Sequence, residues 1–320
     1  MPNPQYSGST PTSEPLVTAL LLAYRHERFA AAALRSLLAQ TYQPLEIIVV
    51  DDASPDATPR VIAAELARHP ERTDVRVIVN PRNLGFSGNT VRAIGEAKGS
   101  FIVRLAADDI FAPSLIERMV EVWLREKVSL VTVNATYIDA DSRPLQRFYS
   151  PPGAIIDESF ETLACDGVNT VCFGAVIGFE RALFDEFGWA PDSLEASDII
   201  MPFYAYLTKG ARFIAEPLVR YRTHGGNASH SLAAERATNP VDRLLADEHI
   251  HYVHLAHSLW MDDELIRLND SDPQRFGPIA QRIRPLLEVQ RTTMAHRLVK
   301  TRAALRKLGV KRLAPAITQS

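Results

Sequence analysis

The stretch Phe101-Ile102-Val103-Arg104-Leu105-Ala106-Ala107-Asp108-Asp109 decides how this chain is read. Its first five residues form a largely apolar run of strand length. The run ends two residues before a pair of adjacent carboxylates. At a strand end such a pair offers hard oxygen ligands for Mg²⁺ or Mn²⁺ at the edge of a sheet, where a nucleotide pyrophosphate can share the ion. The same pair equally opens a turn or caps a helix, here one expected from near Pro113. The pair alone leaves both readings open, and its neighbours must decide.

Outward from it, short apolar runs alternate with amphipathic stretches. Val17 to Ala23, Leu45 to Val50, Val75 to Val79, Phe101 to Leu105 and Val128 to Val133 read as strands buried on both faces. Ala30 to Gln40, Thr58 to His69, Asn89 to Ala97 and Ser114 to Glu126 read as helices, with Ser54-Pro55 and Pro113-Ser114 as start signals. The alternation predicts an α/β fold, a mostly parallel sheet flanked by helices.

Ligands in such sheets bind outside the carboxyl ends of the strands. After the first strand comes Ala23-Tyr24-Arg25-His26-Glu27, without the Gly-x-Gly-x-x-Gly of a dinucleotide site, which disfavours a nicotinamide enzyme. After the second comes Asp51-Asp52-Ala53-Ser54-Pro55-Asp56, where a carboxylate either accepts from a base or ribose or caps the next helix. After the third, Asn80 to Asn89 combines Gly85 and Gly88 with amide donors ahead of a helix N-terminus, an expected anion site.

Taken together and in order, Ile47-Ile48-Val49-Val50-Asp51-Asp52-Ala53-Ser54, then Arg82-Asn83-Leu84-Gly85, then Ala106-Ala107-Asp108-Asp109 resemble the family-2 glycosyltransferases of the GT-A fold. The resemblance runs from about Pro15 to Ser229. It implies an inverting transfer from a nucleotide-activated sugar, a UDP-sugar favoured, to a hydroxyl of a saccharide or lipid-linked acceptor, by a metal-assisted single displacement. On the matching positions it implies that Ala23, Tyr24, Asp52, Arg82, Asn83 and Asp108 contact the nucleotide. Asp108, Asp109 and His224 would ligate a divalent cation, Mg²⁺ or Mn²⁺. The segment Leu194-Glu195-Ala196-Ser197-Asp198 resembles the family's acidic pair at a helix start, which makes Asp198 the expected base and Glu195 a second carboxylate. The chain departs from the pattern at Ala106, where the first acid of the metal motif is common, and at Ser197, where the pair usually has Glu. A degenerate, non-catalytic nucleotide-binding or scaffold protein of the same fold is therefore the alternative. A nucleotidyltransferase is weaker, because no glycine-rich phosphate loop with a basic residue follows the first strand.

Leavings of charge matter in that chemistry: the departing nucleoside diphosphate gains negative charge, which a cation offsets, while a carboxylate on the opposite face takes the acceptor's proton. Val171 to Phe179, with Gly174 and Gly178, is expected as a strand that a substrate approaches closely, with plain core as the alternative. Around His224, the sequence Arg220-Tyr221-Arg222 either offsets diphosphate charge or lies on a solvated strand face.

Composition sets the outer bounds. The chain has 320 residues, 46% hydrophobic and 23% charged, with 35 Lys and Arg against 38 Asp and Glu. A net charge of -3 gives no reason to expect a nucleic-acid partner. Two cysteines, Cys165 and Cys172, and no leading signal peptide point to a cytoplasmic setting. Residues 1–15, rich in Pro, Ser and Thr, read as a disordered lead-in, 16–230 as the transferase domain divided near 134 into nucleotide and acceptor halves, and 231–320 as a helical C-terminal extension. In that extension Pro240 to Trp260 and Pro273 to Leu308 have helical spacing. From Val289 onward there are eight basic residues and no acids. Such a stretch predicts either peripheral contact with the inner face of a membrane or a solvated helix face.

Overall fold

The computed structural model describes residues 14–72, 74–150, 175–189, 194, 200–225 and 239–310. Strands β1 (Val17–Ala23), β2 (Leu45–Asp51), β3 (Val75–Val79) and β4 (Phe101–Ala106) run parallel in the spatial order β3-β2-β1-β4. Helices α1 (Ala30–Leu38), α2 (Thr58–Leu66) and α3 (Gly85–Glu96) make the crossovers that parallel strands require. The strand starts match those expected. Helix α3 begins at Gly85 rather than Asn89, because Gly85 adopts φ +73° and turns the chain directly into the helix.

The chain continues through β5 (Ile110–Phe111), α4 (Leu115–Glu126), β6 (Leu130–Ile138), β7 (Pro144–Phe148), β8 (Val176–Glu180), α5 (Arg181–Phe187), α6 (Ile200–Leu207) and β9 (Ala211–Arg222). Two long helices follow, α7 (Pro240–Ser271) and α8 (Pro273–Lys307). Among the described residues these strands form one nine-stranded sheet in the order β3-β2-β1-β4-β8-β6-β9-β5, with β7 paired to β6. Strand β8 lies antiparallel between β4 and β6, and β9 runs parallel to β6. Two reversals restore direction, so β9 points the same way as β1, β2 and β4. The carboxyl ends of all four strands therefore share one edge.

Two apolar clusters cover the two faces, as strict alternation along each strand demands. Val17, Ala19 and Leu21 face Leu34, Leu37, Met119 and Trp123 of α1 and α4. Leu20, Leu22, Ile48 and Val50 face the other cluster, with Ala93 and Ile94 of α3, Phe203 and Tyr204 of α6, and Met261, Leu265, Ile283 and Leu287 of α7 and α8. Burial on both faces holds for β1 and β2 but fails for β3, whose Val77 and Val79 are exposed. The cause is position: β3 is an edge strand of the sheet. Arg104 is the polar exception inside β4, buried with its guanidinium 4.7 Å from the centre of the Phe86 ring.

The expected strand from Val171 to Phe179 is β8, from Val176 to Glu180, with 171–174 outside the described residues. A Cβ at Gly178 would come within 2.7 Å of Phe101 and Met119 side-chain atoms. The close approach there is core packing rather than a substrate surface. Helix α2 begins at Thr58 as expected, but its start is held by Asp56 rather than by Ser54-Pro55: the Thr58 N–H and hydroxyl both donate to Asp56 Oδ1, at 3.0 and 2.6 Å.

Candidate active site

The edge where β1, β2, β4 and β9 end collects most of the residues singled out in the sequence. Two segments past β4 and β9 meet there. Asp108 Oδ2 lies 3.0 Å from His224 Nε2, although 116 residues separate them. His26, from the loop after β1, brings its Nε2 to 3.8 Å from the same oxygen. The two imidazoles stand edge to face, with centroids 6.4 Å apart. Phe29 backs the arrangement, its ring 4.7 Å from that of His224 and 4.8 Å from the Arg222 guanidinium.

Arg222 is the strut beneath. Its backbone N–H donates to Asp109 Oδ1 at 2.8 Å and its Nε donates to the Asp108 carbonyl at 2.8 Å. Its Nη1 donates to the carbonyls of Asp139 and Ala140 and to Ser142 Oγ. The side chain is buried, and burial draws its pKa below the ordinary guanidinium value against the pull of Asp109 and Asp108. Arg220, two residues earlier, is exposed and donates to the Ser142 carbonyl. Arg220 thus lies on the solvated face, one of the two expectations, whereas Arg222 is buried among the protein's own acceptors, which neither expectation held.

The two carboxylates differ sharply. Burial works to raise the Asp108 pKa, but the hydrogen bond from His224 and the charges of His26 and His224 outweigh it and hold Asp108 below the ordinary carboxylate value. Asp109 is fully buried, and burial together with the Asp108 charge pushes it well above that value. Its Oδ1 is engaged by Arg222, and its Oδ2 is covered and has no hydrogen-bond partner among the described residues. His26 lies below the ordinary imidazole value because it is buried.

A second cluster surrounds Asp52 at the end of β2. Its Oδ1 accepts from Asn80 Nδ2 and from the Leu84 backbone N–H, both at 2.8 Å, and its carbonyl accepts from Asn83 Nδ2 at 3.3 Å. Asn80 Nδ2 also reaches Asn89 Oδ1 at 2.9 Å. The anion site expected at the start of α3 is thus occupied in part by the protein's own carboxylate. Asn83 is spent inside the loop, its Oδ1 accepting from the Gly85 N–H. Arg82 is exposed, Ala23 is buried with its carbonyl accepting from the Asp52 N–H, and Tyr24 is partly exposed under the Arg25 guanidinium. Asp51 accepts from the Ser54 N–H through Oδ2, while its buried Oδ1 has no partner.

Asp198 and Glu195 lie outside the described residues. Sequence reading passed over His26, quoting its loop only for the glycines it lacks. Position was the available signal, a polar ring three residues past a β-strand end in a parallel sheet.

Among the described residues no group of three or more His, Cys, Asp or Glu side chains is arranged to hold a metal ion. Asp108 and His224 nonetheless present an oxygen and a nitrogen side by side. That pair fits Mg²⁺ or Mn²⁺ where further oxygens come from a bound ligand. Among the described residues no helix is long and apolar enough to cross a membrane.

The fold is an α/β sheet that gathers carboxylates and histidines at the carboxyl edge of its strands. The glycosyl transferase family 2 profile matches residues 18–188, and the chain belongs to that family; it is a glycosyltransferase. It is 27% identical over 226 residues to an uncharacterized glycosyltransferase of Nostoc sp., covering 68% of each chain. It is also 35% identical to the succinoglycan biosynthesis protein ExoO of Rhizobium meliloti over 134 residues, 42% of this chain and 37% of that one. Among solved structures, the mannosyltransferase PcManGT from Pyrobaculum calidifontis in complex with GDP-Man and Mn²⁺ matches with TM-score 0.56 and 20% identity, covering 96% of this chain and 83% of the other. Staphylococcus aureus TarS 1–349 in complex with UDP-GlcNAc matches with TM-score 0.56 and 14% identity, over 92% and 93% of the two chains. The fold is that of the GT-A glycosyltransferases.

Proposed function

We propose that this chain transfers a sugar from a nucleoside-diphosphate donor, a UDP-sugar favoured, to a hydroxyl of a saccharide or lipid-linked acceptor, with inversion. The observation that carries the reading is the convergence of Asp108 and His224 from two strands on one sheet edge, beside the loop that carries Asp52. Asp52 uses Oδ1 to fix its own loop, which leaves Oδ2 for a base or ribose donor. Asp108 and His224 would hold a divalent cation, which supplies Lewis-acid stabilisation to the departing diphosphate. Asp109 contributes by anchoring the Arg222 backbone beneath the site; of its oxygens only the covered Oδ2 remains for an ion.

On the acceptor side, Asp198 is the proposed base that takes the hydroxyl proton during in-line attack, with Glu195 as its neighbour. The named glycosyltransferases support donor and ion: one solved relative carries GDP-Man and Mn²⁺, another UDP-GlcNAc. ExoO and the putative glycosyltransferase EpsE of Bacillus subtilis support a role in polysaccharide assembly. The exposed face of α8, with Lys300, Arg297, Arg306 and Lys307 around Val289 and Val299, supports a peripheral membrane contact at the inner face, where lipid-linked acceptors lie.

Calorimetry with UDP, GDP, CDP and dTDP, each with and without Mn²⁺, tests the donor site. One nucleotide is expected to bind in a metal-dependent way, with the metal dependence lost in Asp108→Ala. Binding of none of the four by the folded chain overturns the assignment.

A further inference from the structure

We propose that His26 is a donor-phosphate contact, its Nε2–H hydrogen-bonding an oxygen of the outer phosphate of the diphosphate bound at Asp108. The inference rests on the donor-site reading above and adds a residue that the family motifs did not supply.

The geometry singles out this imidazole in three ways. First, it is held rigidly. The His26 backbone N–H donates to Thr58 Oγ1 at 2.8 Å, and its carbonyl accepts from the N–H groups of Phe29 and Ala30 at 2.9 and 2.8 Å. The loop before it turns through Arg25 at φ +58°, fixed by the Arg25 N–H donating to Ser54 Oγ. Second, its ring lies largely inside the protein, with 17% of the side chain exposed, yet makes no hydrogen bond with the described residues. At 3.8 Å from Asp108 Oδ2 the Nε2 atom is beyond hydrogen-bond reach, and Asp108 is already served by His224.

Third, the two ring nitrogens are unequal. Nδ1 is covered and without a partner among the described residues. A stranded N–H in such a place costs more than a stranded lone pair, so the proton of the neutral ring belongs on Nε2. The donor nitrogen is thus the one that faces Asp108. A ligand oxygen on the His26 side of an ion held at Asp108 is the acceptor that this N–H would meet. A diphosphate oxygen is an acceptor that such a pre-set donor suits, and charge on the acceptor roughly doubles the strength of the bond.

The test compares nucleotides that differ by one phosphate. UDP, UMP, GDP and GMP, with Mn²⁺, are titrated calorimetrically into the wild-type chain, into His26→Leu, which fills the space without an N–H, and into His26→Gln, which keeps one. The diphosphate that binds the wild type is expected to bind His26→Leu about tenfold or more weakly, the scale of one hydrogen bond to a charged group. The monophosphate of the same base should change by less than about threefold, and His26→Gln should recover most of the loss. Should His26→Leu not fold, His26→Glu, an acceptor without an N–H, takes its place. Undiminished diphosphate binding in these variants overturns the proposal, as does equal loss of mono- and diphosphate. Failure of the wild type to bind either diphosphate overturns the donor-site reading, and this inference with it.

Discussion

Arg222 ties two segments of chain to its own strand: the Asp108-Asp109 turn and the turn from Asp139 to Ser142 both receive its donors. A buried guanidinium is tolerated only when its N–H groups are spent on acceptors, and here carbonyl oxygens accept most of them. Replacing it with Met keeps the length of the side chain but strands those carbonyls and leaves Asp108 and Asp109 without their nearest fixed cation. Arg222→Met is therefore expected to lower unfolding free energy by about 3 kcal/mol or more. Urea unfolding measures it, and a loss under about 0.5 kcal/mol would show that the site stands without the strut. This residue illustrates the limit of reading singly. The sequence put Arg222 and Arg220 on equal terms, two residues apart and so on one face of the strand; the Asp108 turn covers the first and leaves the second exposed.

Among the elements, α1 and α2 are joined by a carboxylate placed inside. Glu65 is almost wholly buried on α2 and accepts from Arg35 Nε and Nη2 at 2.8 and 2.9 Å, with Arg68 Nη1 at 3.2 Å. The Arg35 hydrogen bonds hold the Glu65 pKa below its ordinary 4.5. A depressed folded-state pKa means stability that is fully present above the unfolded-state value and lost as pH falls through the folded one. Glu65→Gln should therefore cost about 1 kcal/mol near pH 7, a figure reduced because Arg35 sits mostly in solvent, and less near pH 3, below the unfolded-state value. Thermal unfolding at the two pH values checks this, and an equal cost at both would assign the effect to packing. Helix and strand starts follow from the pattern of apolar residues. The start of α2 at Thr58 is one of these, while that of α3 moved to Gly85, where a left-handed turn intervened.

For the whole molecule, α7 and α8 complete the cluster on the α6 face of the sheet instead of standing apart. Tyr204 of α6 stacks on Phe187 at 4.5 Å, and its hydroxyl donates to Glu264 Oε1 at 3.1 Å. Leu265 of α7 lies in the same cluster, fully buried. Leu265→Ala should cost about 2 to 5 kcal/mol. Because the cluster is shared, differential scanning calorimetry should show one transition that moves as a unit; two transitions, only one of them shifted, would show that the helices fold apart. The sequence by itself determined the parallel order of elements around β1 to β4 and the chemistry at their ends. Short-range periodicity and local motif spacing encode both. Only the tertiary structure decided that His224 meets Asp108, that Asp52 closes its own loop and that His26 joins the site. Those contacts span from 28 to 116 residues and depend on sheet order, which no local pattern records.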